Sequence, residues 1–173
     1  MDLPEGMCEN GGQYTPAVAW YLMALIKIGN YDKAYTYYQM INPLNRTKNE
    51  ESTKQYKVEP YVIAETISSS DNFVKRGGYT WNTTAASWFY RIGVQDILGL
   101  KRNGDKLKIE PALPKTWKGY KMVYHYLDTT YNIKVTKGDE YREIDGQKNI
   151  SKTFRLVNDA KEHEIIVSIS EKE

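Results

Sequence analysis

The sequence predicts an α+β protein in which helices come first and strands follow. Apolar residues recur at helical spacing up to about residue 100 and alternate with polar residues after it, as expected for helices and half-buried strands respectively. The pair Asp145-Gly146, typical of a tight hairpin turn, lies in the alternating part. We therefore expect one domain over residues 1–100 and a second over residues 101–173, with the boundary within residues 101–105.

The clearest helix is expected over residues 15–28. Thr15 is a good N-cap, Pro16 suits the first helical position, and Gly29 supplies a C-terminal stop. This segment is apolar on nearly all faces of the expected helix, which is typical of a helix buried in the core of a larger domain. A second helix is expected from Asn30 to about residue 41, forming an antiparallel hairpin with the first.

The rest of the first domain is expected to alternate loops and helices. Residues 48–56 are polar and predict a loop, whereas residues 59–69 predict a third helix because a proline stands at its first position. Residues 75–78 are basic and glycine-rich, which predicts a flexible loop. A fourth helix is expected over residues 82–98, capped by Asn82 or Thr83.

The second domain is expected to be a small antiparallel β-sandwich. Several short alternating segments separated by turn signals are typical of that architecture. The segments lie at residues 107–110, 120–126, 131–135, 154–157 and 164–169.

Composition excludes some function classes and favours another. The net charge is only +2 among 173 residues, which is too small to indicate a nucleic-acid partner or an anionic membrane. The chain contains 15 Tyr and 4 Trp but only 3 Phe. Aromatic side chains with a polar group suit carbohydrate clefts, although they also suit ordinary half-buried surfaces.

Two glycine-rich loops run directly into helix starts, at residues 8–16 and 76–85. The free N–H groups and the dipole of a helix N-terminus favour anions, so two such loops in one domain suggest a shared anion site. The alternative is that the glycines merely allow the chain to turn and that Thr15 and Thr83 merely cap their helices. His125, His163 and Cys8 match no metal or nucleophile pattern, and we interpret them as structural or solvent-exposed.

These loops and their neighbours resemble glycoside hydrolase family 94, the cellobiose-phosphorylase type. The matching stretches are residues 9–15 (ENGGQYT), 41–45 (INPLN), 56–62 (YKVEPYV), 76–88 (RGGYTWNTTAASW), 97–100 (ILGL) and 109–114 (IEPALP). The QYT and YKVEPY forms resemble the branch of β-1,2-glucan phosphorylases and cyclic β-1,2-glucan synthases. The resemblance implies that the helices are the last of an (α/α)6 barrel catalytic domain and that the strands form a C-terminal β-sandwich.

The resemblance also implies a reaction, the reversible inverting phosphorolysis of a β-glucosidic bond. A carboxylic acid protonates the leaving oxygen while phosphate, the co-substrate, attacks from the opposite face. No metal or organic cofactor is implied. The general-acid Asp of the family falls before this segment, so no catalytic residue is assigned here and the isolated chain is expected to be inactive.

The resemblance assigns candidate binding residues. Glu9, Gln13 and Trp81 are expected to contact sugar. The phosphate-contacting His of the family falls on Pro16, and its Thr-Gly pair falls on Thr83 and Thr84, so only Thr83 is retained. Pro16 lacks the donor that a histidine offers, and Thr84 adds a side chain where the family lets its backbone approach the anion.

Three hypotheses follow for the function. The first is the C-terminal fragment of a phosphorylase-like β-glucan enzyme, whose partners are a β-glucan oligosaccharide, phosphate and the upstream catalytic segment. The second is a degenerate, non-catalytic segment of a larger glucan synthase, and the third is a free-standing carbohydrate-binding module. The family suggests a cytoplasmic location. Because too few helices are present to cover the apolar helix over residues 15–28, we also expect an exposed apolar surface and self-association.

Overall fold

The computed structural model describes residues 3–81 and 84–170 and divides into two compact units. Met1–Gly93, the helical unit, contains all five α-helices of the described residues, and Val94–Glu173, the sandwich unit, is mainly β-sheet. A π-helix, Ile92–Ile97, directly follows the last α-helix. Over the described residues, no helix is both long and apolar enough to cross a membrane. The α-helices are α1 Thr15–Lys27, α2 Tyr31–Ile41, α3 Pro43–Arg46, α4 Glu50–Tyr56 and α5 Ala85–Arg91.

The eleven strands of the described residues form three sheets. The helical unit holds one small sheet of three two-residue strands, and the other two sheets belong to the sandwich unit. In chain order the strands are β1 Gln13–Tyr14, β2 Thr66–Ile67, β3 Gly77–Gly78, β4 Leu100–Asn103, β5 Lys106–Ile109, β6 Gly119–Tyr126, β7 Thr129–Lys137, β8 Tyr141–Ile144, β9 Gln147–Lys148, β10 Thr153–Arg155 and β11 Glu162–Ile169.

The first two helices match the sequence expectation closely. Helix α1 ends where Gly29 adopts a left-handed φ of 82°, and the Asn30 side chain accepts a hydrogen bond from Lys33 N–H at the start of α2. Leu22 and Leu25 of α1 are buried. The opposite face is open, however, because Trp20 is 54% exposed.

The prediction for residues 48–69 was wrong in two places. The polar segment is helical: α4 is opened by a reciprocal capping box in which Asn49 and Ser52 each bond the other's backbone N–H. The expected third helix is instead an extended loop that contains β2. Its shape is held by buried Tyr56, whose hydroxyl donates to Val62 O at 3.1 Å and accepts from Ala64 N–H at 3.2 Å. Tertiary contacts of this kind override local propensity.

The sandwich unit has two sheets that share one core. One sheet has the strand order β10-β5-β4 and the other β6-β7-β11-β8-β9. The core contains Leu107 and Phe154 from the smaller sheet together with Tyr131, Val135 and Ile165 from the larger one. The alternation read from the sequence therefore identifies inward-facing side chains correctly.

The larger sheet is mixed rather than wholly antiparallel. Strand β11 pairs with β7 in parallel and with β8 antiparallel. The prediction of an antiparallel sandwich was wrong at this pair. The β8–β9 hairpin and β10 separate β7 from β11 in the chain. This long connection allows β11 to run in the same direction as β7. The predicted hairpin turn is present, with Asp145 and Gly146 at φ values of 51° and 76°.

Candidate functional site

The two glycine-rich loops meet at Glu65. Thr15 N–H, at the start of α1, donates to Glu65 O at 2.8 Å. Ala85 N–H, at the start of α5, donates to Glu65 Oε2 at 3.4 Å. Glu65 N–H in turn donates to Tyr79 O at 2.8 Å. The starts of α1 and α5 therefore lie close together, as the suggested shared site requires.

The hydroxyl of Thr15 does not cap its helix. Its Oγ1 donates to Ala64 O at 2.7 Å and accepts from Gln13 Nε2 at 3.1 Å. The N-cap position belongs to Tyr14, whose side chain makes no capping bond. The predicted cap was wrong because Thr15 lies inside the first turn and is buried against the extended loop.

The spot between the helix starts carries negative charge. The Tyr14 hydroxyl is hydrogen-bonded to the Glu65 carboxylate, and burial followed by the charge of Glu65 raises the pKa of Tyr14. The charge of Glu9 acts on Tyr14 in the same direction. The Glu65 carboxylate thus lies where the helix N-termini meet, and it already accepts the Ala85 N–H.

An exposed aromatic pair lies further along the second loop. Trp81 Nε1–H donates to Glu59 Oε1 at 2.8 Å, and the Tyr61 ring meets the Trp81 ring edge-on at 6.1 Å. The hydrogen bond from Trp81 is the largest cause that lowers the pKa of Glu59. Trp81 is 65% exposed and has a left-handed φ of 68°. An open indole beside an ionised carboxylate combines an apolar surface with hydrogen-bond acceptors.

Of the residues predicted to bind phosphate, the structure describes Pro16 and Thr84. Pro16 is buried in the first turn of α1 and has no N–H to offer. Thr84 is exposed, and its side chain makes no cap bond to α5. Thr83 and Asn82 lie outside the described residues. Over the described residues, no group of three His, Cys, Asp or Glu is arranged to hold a metal ion.

Sequence reasoning missed Glu65, the residue that joins the two loops. Residues 59–69 were predicted to be helical, and the sequence suggested no role for Glu65 within them. A usable signal was present in the β-branched pair Thr66-Ile67, which favours a strand over a helix.

Comparisons with known proteins place the chain in a family of glycosyl hydrolases. The family model described as "Glycosyl hydrolase 94 superfamily, catalytic domain" matches residues 1–99. The model described as "Glycosyl hydrolase family 65, C-terminal domain" matches residues 100–151. The chain therefore belongs to the glycosyl hydrolase 94 superfamily, as the sequence motifs indicated.

Similar proteins include a glucan synthase and two kinds of phosphorylase. The chain is 39% identical over 140 residues to the cyclic β-(1,2)-glucan synthase NdvB of Rhizobium meliloti strain 1021, covering 81% of this chain and 5% of that protein. It is 29% identical to the N,N'-diacetylchitobiose phosphorylase of Vibrio furnissii over 76% of this chain and 16% of that protein. It is 24% identical to the cellobionic acid phosphorylase of Neurospora crassa over 78% of this chain and 17% of that protein. The chain thus spans less than a fifth of each of these relatives.

Proposed function

We propose that the chain is the C-terminal part of a phosphorylase-like enzyme acting on a β-glucan, in which residues 1–100 supply the last helices of an (α/α)6 barrel and residues 101–173 the following sandwich. Its contribution is sugar binding rather than proton transfer. The observation that carries this proposal is the exposed cluster of Trp81, Tyr61 and Glu59. Aromatic faces bind the apolar faces of pyranose rings, and a carboxylate accepts bonds from their hydroxyls.

Glu9 and Gln13 extend the sugar contacts in this proposal. Glu9 is exposed, and it lies close enough to Tyr14 for its charge to influence that phenol. Gln13 is half-buried, and its amide nitrogen is held by Thr15, which leaves its carbonyl oxygen available in a fixed position. A β-1,2-linked glucan is the substrate that the likeness to the glucan synthase favours.

Phosphate binding would be weak in this arrangement. The carboxylate of Glu65 accepts the hydrogen bond from Ala85 N–H and would repel a phosphate ion nearby. Pro16 offers the phosphate neither a hydrogen-bond donor nor a positive charge. Thr83 and Thr84 remain the proposed phosphate contacts. In the proposed enzyme, this part of the chain therefore holds sugar more strongly than phosphate.

Isothermal titration of the purified chain with a β-1,2-glucooligosaccharide tests the sugar site. Trp81→Ala should weaken binding at least tenfold, which corresponds to about 1.4 kcal/mol. Tyr90→Ala, which also removes an exposed aromatic side chain from the helical unit, is the matched control and should leave the affinity unchanged. Equal affinities for the parent and Trp81→Ala would refute the proposed site.

The same purified chain tests the proposal that it binds sugar but does not catalyse phosphorolysis. Without a general acid, the chain incubated with oligosaccharide and phosphate should release no glucose 1-phosphate, because protonation of a poor leaving group is needed for cleavage. Turnover by the chain alone would contradict the proposal.

A further inference from the structure

The dipeptide Asn-Gly occurs twice in the chain, at Asn10-Gly11 and at Asn103-Gly104. In this dipeptide the backbone nitrogen of the glycine can approach the side-chain amide carbon of the asparagine, because glycine has no Cβ and adopts conformations that other residues avoid. All four residues are exposed. The two pairs share the same local sequence chemistry, so a difference in their reactivity has to come from the fold.

The fold fixes the first of these asparagines. The side-chain nitrogen Nδ2 of Asn10 donates to Leu3 O at 2.8 Å. The backbone N–H of Asn10 donates to Met7 O at 2.9 Å, and its backbone O accepts from Gly6 N–H at 2.7 Å. The side chain of Asn10 therefore has to break its bond to Leu3 before it can rotate toward the nitrogen of Gly11.

The second asparagine has no such restraint on its side chain. Asn103 is the last residue of β4, and Gly104 begins the turn to β5 with a left-handed φ of 61°. Within residues 3–81 and 84–170, neither the side-chain amide of Asn103 nor the N–H of Gly104 takes part in a hydrogen bond. A Cβ built on Gly104 would meet nothing within 4 Å. No neighbouring segment therefore opposes rotation of the amide toward the nitrogen of Gly104.

We propose that Asn103 is a site of spontaneous deamidation, with the backbone nitrogen of Gly104 as the nucleophile. Solvent hydroxide removes the proton from this nitrogen, which then attacks the amide carbon of Asn103. A new C–N bond forms, and the side-chain nitrogen takes up a proton from water and leaves as ammonia. Water then opens the resulting five-membered imide. Opening at one carbonyl gives aspartate, and opening at the other gives isoaspartate, in which the main chain runs through the side-chain carbons.

The two products affect the β4–β5 hairpin differently. Asn103 lies opposite Lys106 in the register of these strands. An aspartate at this position faces a lysine, and opposite charges in a cross-strand pair are favourable. Isoaspartate lengthens the main chain by one atom at the same position, which disturbs the register of the hairpin. The modification therefore adds a negative charge in one product and distorts the turn in the other.

Peptide mapping by mass spectrometry tests the proposal on the intact chain during incubation at pH 8. The change from amide to carboxyl raises the mass of the peptide, and electron-transfer fragmentation separates aspartate from isoaspartate. In the folded chain, Asn103 should convert about tenfold faster than Asn10, because the hydrogen bond that holds the Asn10 amide has to break first. In guanidinium chloride the two rates should become similar, since both asparagines then precede a glycine in an unfolded chain.

Two glycine variants connect the reaction to Gly104. Gly104→Ala should slow the conversion of Asn103 by about tenfold or more, because the added methyl group keeps the reacting atoms apart. Gly146→Ala is the matched control: Gly146 also has a left-handed φ, 76°, and open space around its Cβ position, and its replacement should leave the conversion rate unchanged. The proposal is overturned if Asn10 converts as fast as Asn103 in the folded chain, if the difference persists in the denaturant, or if Gly104→Ala converts at the parent rate.

Discussion

His163 shows how a single side chain can connect two turns of the sandwich unit. Its Nδ1 lies 2.7 Å from Asp145 Oδ2, in the β8–β9 turn, and its Nε2 lies 3.1 Å from Asp159 Oδ1, in the loop before β11. Its ring stacks on Tyr131 at 5.1 Å between centroids. Both ring nitrogens face carboxylates, so both can donate only when the imidazole is protonated. The sequence predicts a structural or solvent-exposed histidine here, but it does not show that two acidic residues converge on it.

Stability of the sandwich unit should therefore depend on pH through His163. The hydrogen bond with Asp145 is the largest cause that raises the pKa of His163. A raised folded-state pKa gives stability that is fully present below the unfolded value, about 6.5, and is lost as pH rises through the folded value. Urea unfolding at pH 6 and pH 9 should show that the parent loses more stability than His163→Gln across this interval.

His125→Gln is the matched control for that experiment. His125 is exposed and contacts only the Thr130 hydroxyl among the described hydrogen bonds. Its replacement should leave the pH dependence of the parent intact. A flat pH profile for the parent, or equal loss in both histidine variants, would show that the contact with the two aspartates does not contribute.

At the scale of elements, the boundaries that local signals predict differ from those that packing imposes. Helices α1 and α2 follow their caps, prolines and glycines closely. The segment after α4 does not follow its local pattern. Its shape is set by the hydrogen bond from Tyr56 to Val62 and by the bonds of the Glu65 backbone with Thr15 and Tyr79. Gly99 is a third case. Its close approach to the Glu110-Pro111 backbone could not be recognised from the sequence.

Gly99→Ala should destabilise the sandwich unit much more than Gly104→Ala. Both glycines have left-handed φ, 75° and 61°. A Cβ at Gly99 would lie 2.2 Å from the carbonyl carbon of Glu110, whereas a Cβ at Gly104 would meet nothing within 4 Å. Strain alone predicts about 1–2 kcal/mol for Gly104→Ala, and overpacking raises the total to about 2–5 kcal/mol for Gly99→Ala.

Chemical unfolding of both glycine variants measures the difference. Similar losses in the two proteins would mean that the Glu110-Pro111 backbone yields to the added methyl group. In that case the tight approach at Gly99 would not stabilise the fold.

At the scale of the molecule, several large apolar side chains on the surface of the helical unit are exposed. Trp20 and Ile28 of the first hairpin are 54% and 77% exposed, and Met40, Leu44, Tyr61 and Tyr90 are also exposed. That these side chains form one continuous apolar surface, and that this surface causes self-association, both stay predictions. In the proposed function, the preceding helices of the barrel cover this surface.

The isolated chain should self-associate through α1 and the residue that follows it. Light scattering should give an apparent mass of at least twice the 20.1 kDa of the chain, because contiguous exposed apolar patches drive association. Trp20→Lys combined with Ile28→Lys should reduce that mass. Val123→Lys, at an exposed position of the sandwich unit, should not. A parent protein that stays monomeric at all concentrations would contradict the prediction.

The sequence by itself determined the family, the order of helices before strands, and the inward-facing residues of the sandwich. Motifs, helix caps and the alternation of apolar and polar residues involve neighbours in the sequence, so they can be recognised without knowing the fold. Only the tertiary structure decided that Glu65 joins the two glycine-rich loops, that β11 runs parallel to β7, and that two aspartates converge on His163. Each of these depends on which distant segments pack together, and packing is set by the burial and hydrogen bonding of the whole chain rather than by the pattern of any one segment.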